Sequence, residues 1–142
     1  AGQDQDKRYA VTWVLKVAEH SEEIVAYYTL SNTSLLIDNF TEDERKQLRL
    51  TKQPHIPAIL LGRLAVDRRY QGNGIGKVVL WNALWRAHQL SQTSGCLLFL
   101  IDAKDDRTRD WYVKKFDFMP LRENGLTVYL HMKTVDELFS TS

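Results

Sequence analysis

Leu64-Ala65-Val66-Asp67-Arg68-Arg69-Tyr70-Gln71-Gly72-Asn73-Gly74-Ile75-Gly76-Lys77 is the stretch that decides the fold. Before it, residues 58–66 are apolar with β-branched punctuation, the pattern of a largely buried strand. After it, Val79, Ala83, Ala87 and Leu90 recur at i, i+4, i+8 and i+11, with Leu80 and Leu84 widening the stripe. That spacing predicts an amphipathic helix over 75–91. Between strand and helix, glycines let the backbone take positive φ and come close to a ligand. The unsatisfied amides of a helix start, with the positive end of its dipole, make an anion site. Successive inward amides would cradle a diphosphate, and Arg69 and Lys77 would add positive charge.

Two common phosphate loops fail on spacing. A Walker loop needs four residues between its first glycine and Gly-Lys, followed by Ser or Thr. Here Gly72 and Gly76 have three residues between them, and Val78 follows Lys77. A dinucleotide loop needs Gly-x-Gly-x-x-Gly, and Lys77 stands where its third glycine belongs.

Working outward, residues 9–17 and 24–30 read as a β-hairpin, and 35–37 as a short third strand. Thr41 followed by Glu44 is a capping-box pattern, starting a charged helix to about Leu50. Pro54 and Pro57 then exclude regular helix. Gly95 closes the long helix and 96–101 is a buried strand. Asp105 or Asp106 caps a second helix to about Lys115. Met119-Pro120 breaks it, 126–132 alternates as a final strand, and 135–139 adds a helical turn. The order is α+β with a mixed sheet, read as one domain over 1–142.

The 142 residues are 44% hydrophobic, 26% charged and 11% aromatic, which fits a soluble globular domain and excludes disorder. A net charge of +1 does not announce nucleic-acid binding, so an RNA partner needs a local basic patch. The single cysteine, Cys96, lies in an apolar run and reads as a buried hydrophobe. No CxxC pair offers a zinc site, and His20, His55, His88 and His131 fall in four different elements, so no metal is expected. A reducing cytoplasm is the expected setting. No stretch approaches the roughly 18 apolar residues of a membrane span, so no membrane partner is expected. The chain starts with Ala1 rather than Met, which suggests that its natural N-terminus lies upstream.

The loop resembles that of the GNAT acetyltransferases, Gln/Arg-x-x-Gly-x-Gly/Ala. Arg69-Tyr70-Gln71-Gly72-Asn73-Gly74 meets it at every fixed position, between the right strand and helix. The resemblance implies the GNAT fold: a central, mostly antiparallel twisted sheet flanked by helices, with acetyl-CoA bound at a splayed strand pair. Carried over by position, the backbones of Leu64 and Val66 would hydrogen-bond the pantetheine. The amides of Gly72, Asn73, Gly74, Ile75 and Gly76 would hold the pyrophosphate, and Ala65, Arg69 and Gln71 complete the cofactor set.

The string from Ile56 through Asp67, with Asp102-Ala103-Lys104-Asp105, Trp111-Tyr112 and Glu137-Leu138-Phe139, resembles one branch in particular. These are the toxins of type II toxin–antitoxin systems, which acetylate the amino group of aminoacyl-tRNA and so block translation. The likeness runs over most of the chain from Tyr9 onward. Two departures stand out. The pair of helices that usually precedes the first strand in these toxins is largely missing from this sequence. Their Tyr-x-x-x-Gly-Phe becomes Tyr112-Val113-Lys114-Lys115-Phe116-Asp117-Phe118, one residue longer and with Asp117 for glycine.

The resemblance implies a ribbon–helix–helix antitoxin, a charged tRNA as substrate and a homodimer as partners. It makes Tyr112 the general acid, since a phenol with pKa near 10 is protonated at pH 7 and can donate to the departing sulfur. No Glu occurs over 58–66, where many GNAT enzymes keep a base. That absence suits an α-amino acceptor, which titrates near 7.7–8.0 and is partly neutral unaided. Arg45 and Lys46, with Arg49 and Lys52, and Lys114 and Lys115, with Lys104, Arg107 and Arg109, form basic clusters. They are either solvated faces or tRNA phosphate contacts. Arg63 reads as structural. The alternatives are an acetyltransferase for a small amine or protein N-terminus, and a non-catalytic acetyl-CoA-binding module.

Overall fold

The computed structural model describes residues 10–50, 53–122 and 125–140. Tyr9, at the expected start of the first strand, and Lys52 lie outside the described residues. The strands are β1 Val11–Lys16, β2 Ile24–Leu36, β3 His55–Val66, β4 Leu98–Asp102, β5 Met119–Pro120 and β6 Thr127–His131. The helices are α1 Glu42–Leu48, α2 Ile75–Ser94, α3 Asp106–Phe116 and α4 Met132–Phe139. The strands form one sheet in the order β1-β2-β3-β4-β6-β5. Every neighbouring pair is antiparallel except β3 with β4, which α2 joins as a crossover helix. The sheet is mixed, as the order of elements predicts, and mostly antiparallel, as the resemblance implies.

Alternation along the strands divides the core into two layers. Phe99 and Ile101 of β4, Val128 and Leu130 of β6, and Ile59 and Leu61 of β3 face α2, α3 and α4. Leu98 and Leu100, Tyr129, and Ile56 and Ala58 face the other way, under Phe40 and Leu48 at either end of α1. Val79, Leu80, Ala83, Leu84 and Ala87 of α2 are buried as the periodicity requires. Leu90, expected in the same stripe, is 43% exposed, so the buried stripe stops at Ala87.

Local chemistry sets most element ends. Thr41 Oγ1 accepts the Glu44 N–H at 3.1 Å, and Glu44 Oε1 accepts the Thr41 N–H at 2.8 Å, completing the capping box. Arg49, left-handed with φ 56°, ends α1 short of Leu50. Gly95, with φ 69°, ends α2.

Three expectations are corrected. The separate strand at 35–37 does not exist, because β2 runs unbroken to Leu36. Its polar run Ser31-Asn32-Thr33-Ser34 pairs with Leu60-Ile59-Ala58-Pro57 of β3. A full-length partner overrides weak strand propensity. Strand β3 in turn begins at His55 and carries Pro57, whose carbonyl accepts the Leu97 N–H at 2.9 Å. Residues 135–139 belong to a longer helix, α4, which His131 caps by accepting the Lys133 N–H.

Candidate active site

The central feature is a parting of β3 from β4. Their parallel pairing runs from Ala58↔Leu98 to Leu61↔Ile101 and stops. Beyond it β3 continues to Val66 along β2, through a register shift at Thr29/Leu30 opposite Gly62. A Cβ on Gly62 would sit 3.1 Å from Thr29 Oγ1, so glycine suits this bulge. Strand β4 turns the other way, with the Ala103 N–H donating to the Leu126 carbonyl at 2.9 Å. The result is a cleft of about 480 Å³. Its walls are Leu61–Ala65 of β3 with Tyr27 on one side and Ile101–Lys104 on the other. Gly76, Thr108, Trp111 and Tyr112 close it from α2 and α3.

Backbone parity decides what β3 offers the cleft. The Asp67 N–H donates to Val25 of β2 at 2.8 Å. Alternation therefore turns the amides and carbonyls of Leu64 and Val66 away from β2, into the gap that β4 vacates. The Leu64 groups and the Val66 N–H face that gap. The Val66 carbonyl accepts the Gln71 side-chain N–H at 2.9 Å, so Gln71 braces the loop onto the strand.

The loop itself is an Asp67-capped turn of 3₁₀ helix over Arg68–Tyr70, then two left-handed glycines, Gly72 with φ 87° and Gly74 with φ 76°. Gly74 is the N-cap of α2. A glycine cap has no side-chain acceptor for the first amides, and the first turn holds no acidic residue. The positive end of the helix therefore faces solvent uncompensated. A Cβ at Gly72 or Gly74 would meet nothing within 4 Å, so the surface beside them is open. These features fit a pyrophosphate: bare amides, left-handed turns and room. Gly76 is packed instead, with Trp111 Cη2 3.8 Å from where its Cβ would be. Lys77 is exposed.

Arg69 points elsewhere. Its Nε lies 3.1 Å from Asp67 Oδ1 and its Nη1 3.5 Å from Glu23 Oε2. The Tyr70 hydroxyl donates to the same Glu23 carboxylate. Arg69 holds the Asp67 carboxyl below the usual carboxylate range. It ties the loop to the β1–β2 turn, and any phosphate would compete with two carboxylates for it.

Tyr112 lies on α3 and lines the cleft, 4% exposed. Burial pushes its phenol up to about 12, so it is protonated throughout the neutral range. Its hydroxyl has no hydrogen-bond partner among the described residues. The extra residue after it is absorbed at Asp117, which takes a left-handed φ of 61° where the family's glycine stands. Phe118 thereby still packs on Tyr112, ring centroids 5.8 Å apart.

The basic residues are not brought together. Arg45 and Lys46 are on α1 and Lys114 and Lys115 on α3, which cover opposite faces of the sheet. Arg45 is engaged with Asp38 Oδ1 at 3.1 Å and donates to the Phe40 carbonyl. Arg63, read as structural, lines the cleft and is exposed. Tyr27, Asp102 and Thr108 also line it and carry no role in the sequence reading. Asp102 had a signal, a charge ending an apolar strand, while Tyr27 and Thr108 had none. Cys96 is buried as expected. Among the described residues no group of His, Cys, Asp and Glu could hold a metal, and no helix is long and apolar enough to cross a membrane.

Comparison with known proteins agrees with this geometry. A tRNA-acetylating toxin of Mycobacterium tuberculosis is 34% identical over 110 residues, 78% of this chain and 63% of that protein. The chain thus spans less than two thirds of that relative. The structure of AtaT complexed with acetyl-methionyl-tRNAfMet matches with TM-score 0.80 and 23% identity, over 98% of this chain and 80% of that one. A tyrosine-to-phenylalanine mutant of the toxin AtaT, bound to the C-terminus of the antitoxin AtaR and acetyl-CoA, matches with TM-score 0.74 and 23% identity, over 99% and 78%. At those identities the structural likeness speaks for the fold. The Acetyltransferase (GNAT) family matches residues 3–118, and the chain belongs to that family.

Proposed function

We propose that this chain is an N-acetyltransferase that moves acetyl from acetyl-CoA to a primary amine, and that the amine is the α-amino group of an aminoacyl-tRNA. Acetylation there blocks translation, making the chain the toxin of a toxin–antitoxin pair. The observation that carries the reaction is the parted β3–β4 cleft, lined by the buried, unpartnered phenol of Tyr112 and by Gly76 in the bare first turn of α2. The acceptor rests on the tRNA-acetylating relative. Residues 1–142 are read as one acetyltransferase domain. A ribbon–helix–helix antitoxin and a second copy of the chain are the proposed protein partners, and the bacterial cytoplasm the proposed setting.

The roles follow from position. Acetyl-CoA supplies an activated acetyl thioester. The Leu64 and Val66 backbones hold its amide-bearing arm as an added strand would. The amides of Gly72, Asn73, Gly74, Ile75 and Gly76 hold the diphosphate, with Gln71 fixing the loop and Ala65 lining the cleft. Arg69 serves the loop's shape through Asp67 and Glu23. Tyr112 meets the departing sulfur as proton donor. Because burial raises its pKa well above the roughly 8.5 of a thiol, it acts by hydrogen-bonding the developing thiolate as much as by full transfer. Lys46 with Arg45, and Lys114 with Lys115, are proposed tRNA phosphate contacts.

The deciding experiment is transfer of labelled acetyl to charged tRNAs, deacylated tRNAs and free amines. Label on the charged tRNA alone is the expected result. Label on free amines only would replace the acceptor, and acetyl-CoA bound without transfer to anything would leave a binding module.

A further inference from the structure

Among the described residues lining the cleft, Asp102 is the only carboxylate, and the roles above leave it idle. We infer that Asp102 receives the attacking amine: its carboxylate accepts an N–H of the acceptor and stabilises the positive charge that develops on nitrogen. The inference rests on the acetyltransferase reading and deepens it.

Position supports it first. Leu61↔Ile101 is the last paired position of β3 and β4, so Asp102 is the first residue of β4 inside the opening. Alternation supports it next. Phe99, Ile101 and Ala103 are buried in the layer that holds Tyr112, so the Asp102 side chain leaves the sheet by the opposite face. The two groups stand at the same junction from opposite sides. A thioester lying there would have the phenol toward its sulfur and the carboxylate toward whatever approaches its carbonyl carbon from the other face.

Orientation supports it third. Thr127 Oγ1 donates to Asp102 Oδ1 at 2.8 Å. That bond fixes the carboxylate and leaves Oδ2 open. Arg63 and Lys104 line the same cleft, but neither is in an ion pair with Asp102 among the described residues. The carboxylate is therefore available to an N–H of the neutral amine. In the reaction the nitrogen lone pair forms the N–C bond while the C–S pair leaves on sulfur. The thiolate takes the Tyr112 proton. The surplus N–H proton leaves by way of Asp102 to water, and water reprotonates Tyr112.

Asp102→Asn separates charge from structure, because the Asn carbonyl still accepts from Thr127. The variant should lose about 10–100-fold in kcat/KM for the acceptor, the span of a charge-assisted hydrogen bond. Its Kd for acetyl-CoA should stay within about twofold of the parent. Thr127→Val, which frees the carboxylate without removing it, should lose less. An Asn variant within about twofold of the parent in kcat/KM overturns the inference, as does a loss matched in acetyl-CoA affinity. Charged tRNA and a free amine are assayed in parallel. Parent activity on the amine alone removes the tRNA acceptor of the proposed function, and Asp102 is then judged by the same variants on the amine.

Discussion

Replacing Tyr112 with Phe removes one oxygen and keeps the ring that packs against Phe118 and Trp111. The hydroxyl has no partner among the described residues, so its loss breaks no hydrogen bond and leaves no orphan. Stability at pH 7 should therefore change by less than about 1 kcal/mol. Turnover should fall by about 10²–10⁴-fold, the usual contribution of a positioned acid. The lower end is expected because the departing thiolate is only moderately basic, its free thiol near 8.5. Acetyl-CoA affinity should hold, since the phosphate amides and the β3 edge are untouched. An independent readout needs no substrate. The folded phenol titrates at about 12 against an ordinary 10, so the folded state keeps its proton where the unfolded chain has lost it. Tyr112 therefore costs the fold nothing below pH 10. Its penalty grows as pH rises, reaching about 2–3 kcal/mol by pH 12, two pKa units at 1.36 kcal/mol each. Phe carries no such term. Denaturant unfolding of parent and variant from pH 8 upward should give curves that coincide at first and then separate, the variant being the more stable. Single-turnover acetyl transfer supplies the kinetic arm. Near-parental transfer where chemistry limits the rate would show that water protonates the sulfur. Unfolding curves that never separate would show that Tyr112 is solvated rather than buried.

Gly74→Glu places a side chain on a backbone with φ 76°, costing about 1–2 kcal/mol of stability, and sets a carboxylate against the proposed diphosphate; calorimetry should find acetyl-CoA binding abolished, and parental affinity would end the loop assignment. Thr41→Ala removes half of the capping box and should cost about 1 kcal/mol in denaturant unfolding. Charge removal at Arg45 and Lys46 should raise KM for charged tRNA and cut its salt slope by about one unit for each phosphate no longer neutralised. The same change at Lys114 and Lys115 should do less if the acceptor enters past Asp102 as proposed, because Asp102 emerges on the face that carries α1. Unchanged slopes for both pairs would make all four solvated surface.

What could be read from the sequence was what short-range chemistry dictates. Gly72 and Gly74 announce left-handed turns because other residues are strained at positive φ, and both turns are there. Thr41 with Glu44 announces a helix start because the reciprocal bonds span only three residues. Failures came where a distant partner decides. Ser31-Asn32-Thr33-Ser34 separates the strands expected at 24–30 and 35–37, yet β3 holds it extended as part of one strand. Leu90 continues the apolar period of α2, but the burial ends at Ala87. Arg69 is expected beside the phosphates, and nothing in the sequence signals that Glu23, some forty-six positions earlier in the numbering, stands beside it.

The site shows the same division, and it explains why the acceptor side stayed hidden. The phosphate end is built by one continuous segment, so a motif can encode it. The proposed acceptor end needs β4 to leave β3 at Asp102, a parting that goes with Gly62 opposite Thr29 and Ala103 bonding to Leu126. No local string describes that arrangement. Only the face on which Asp102 emerges separates it from the exposed aspartates of α3. The same division bears on which variants to expect. Changes in 69–76 should act on acetyl-CoA, the shared substrate. Changes at Tyr27, Arg63, Asp102 and Thr127, contributed by four different strands or strand ends, should act on the acceptor.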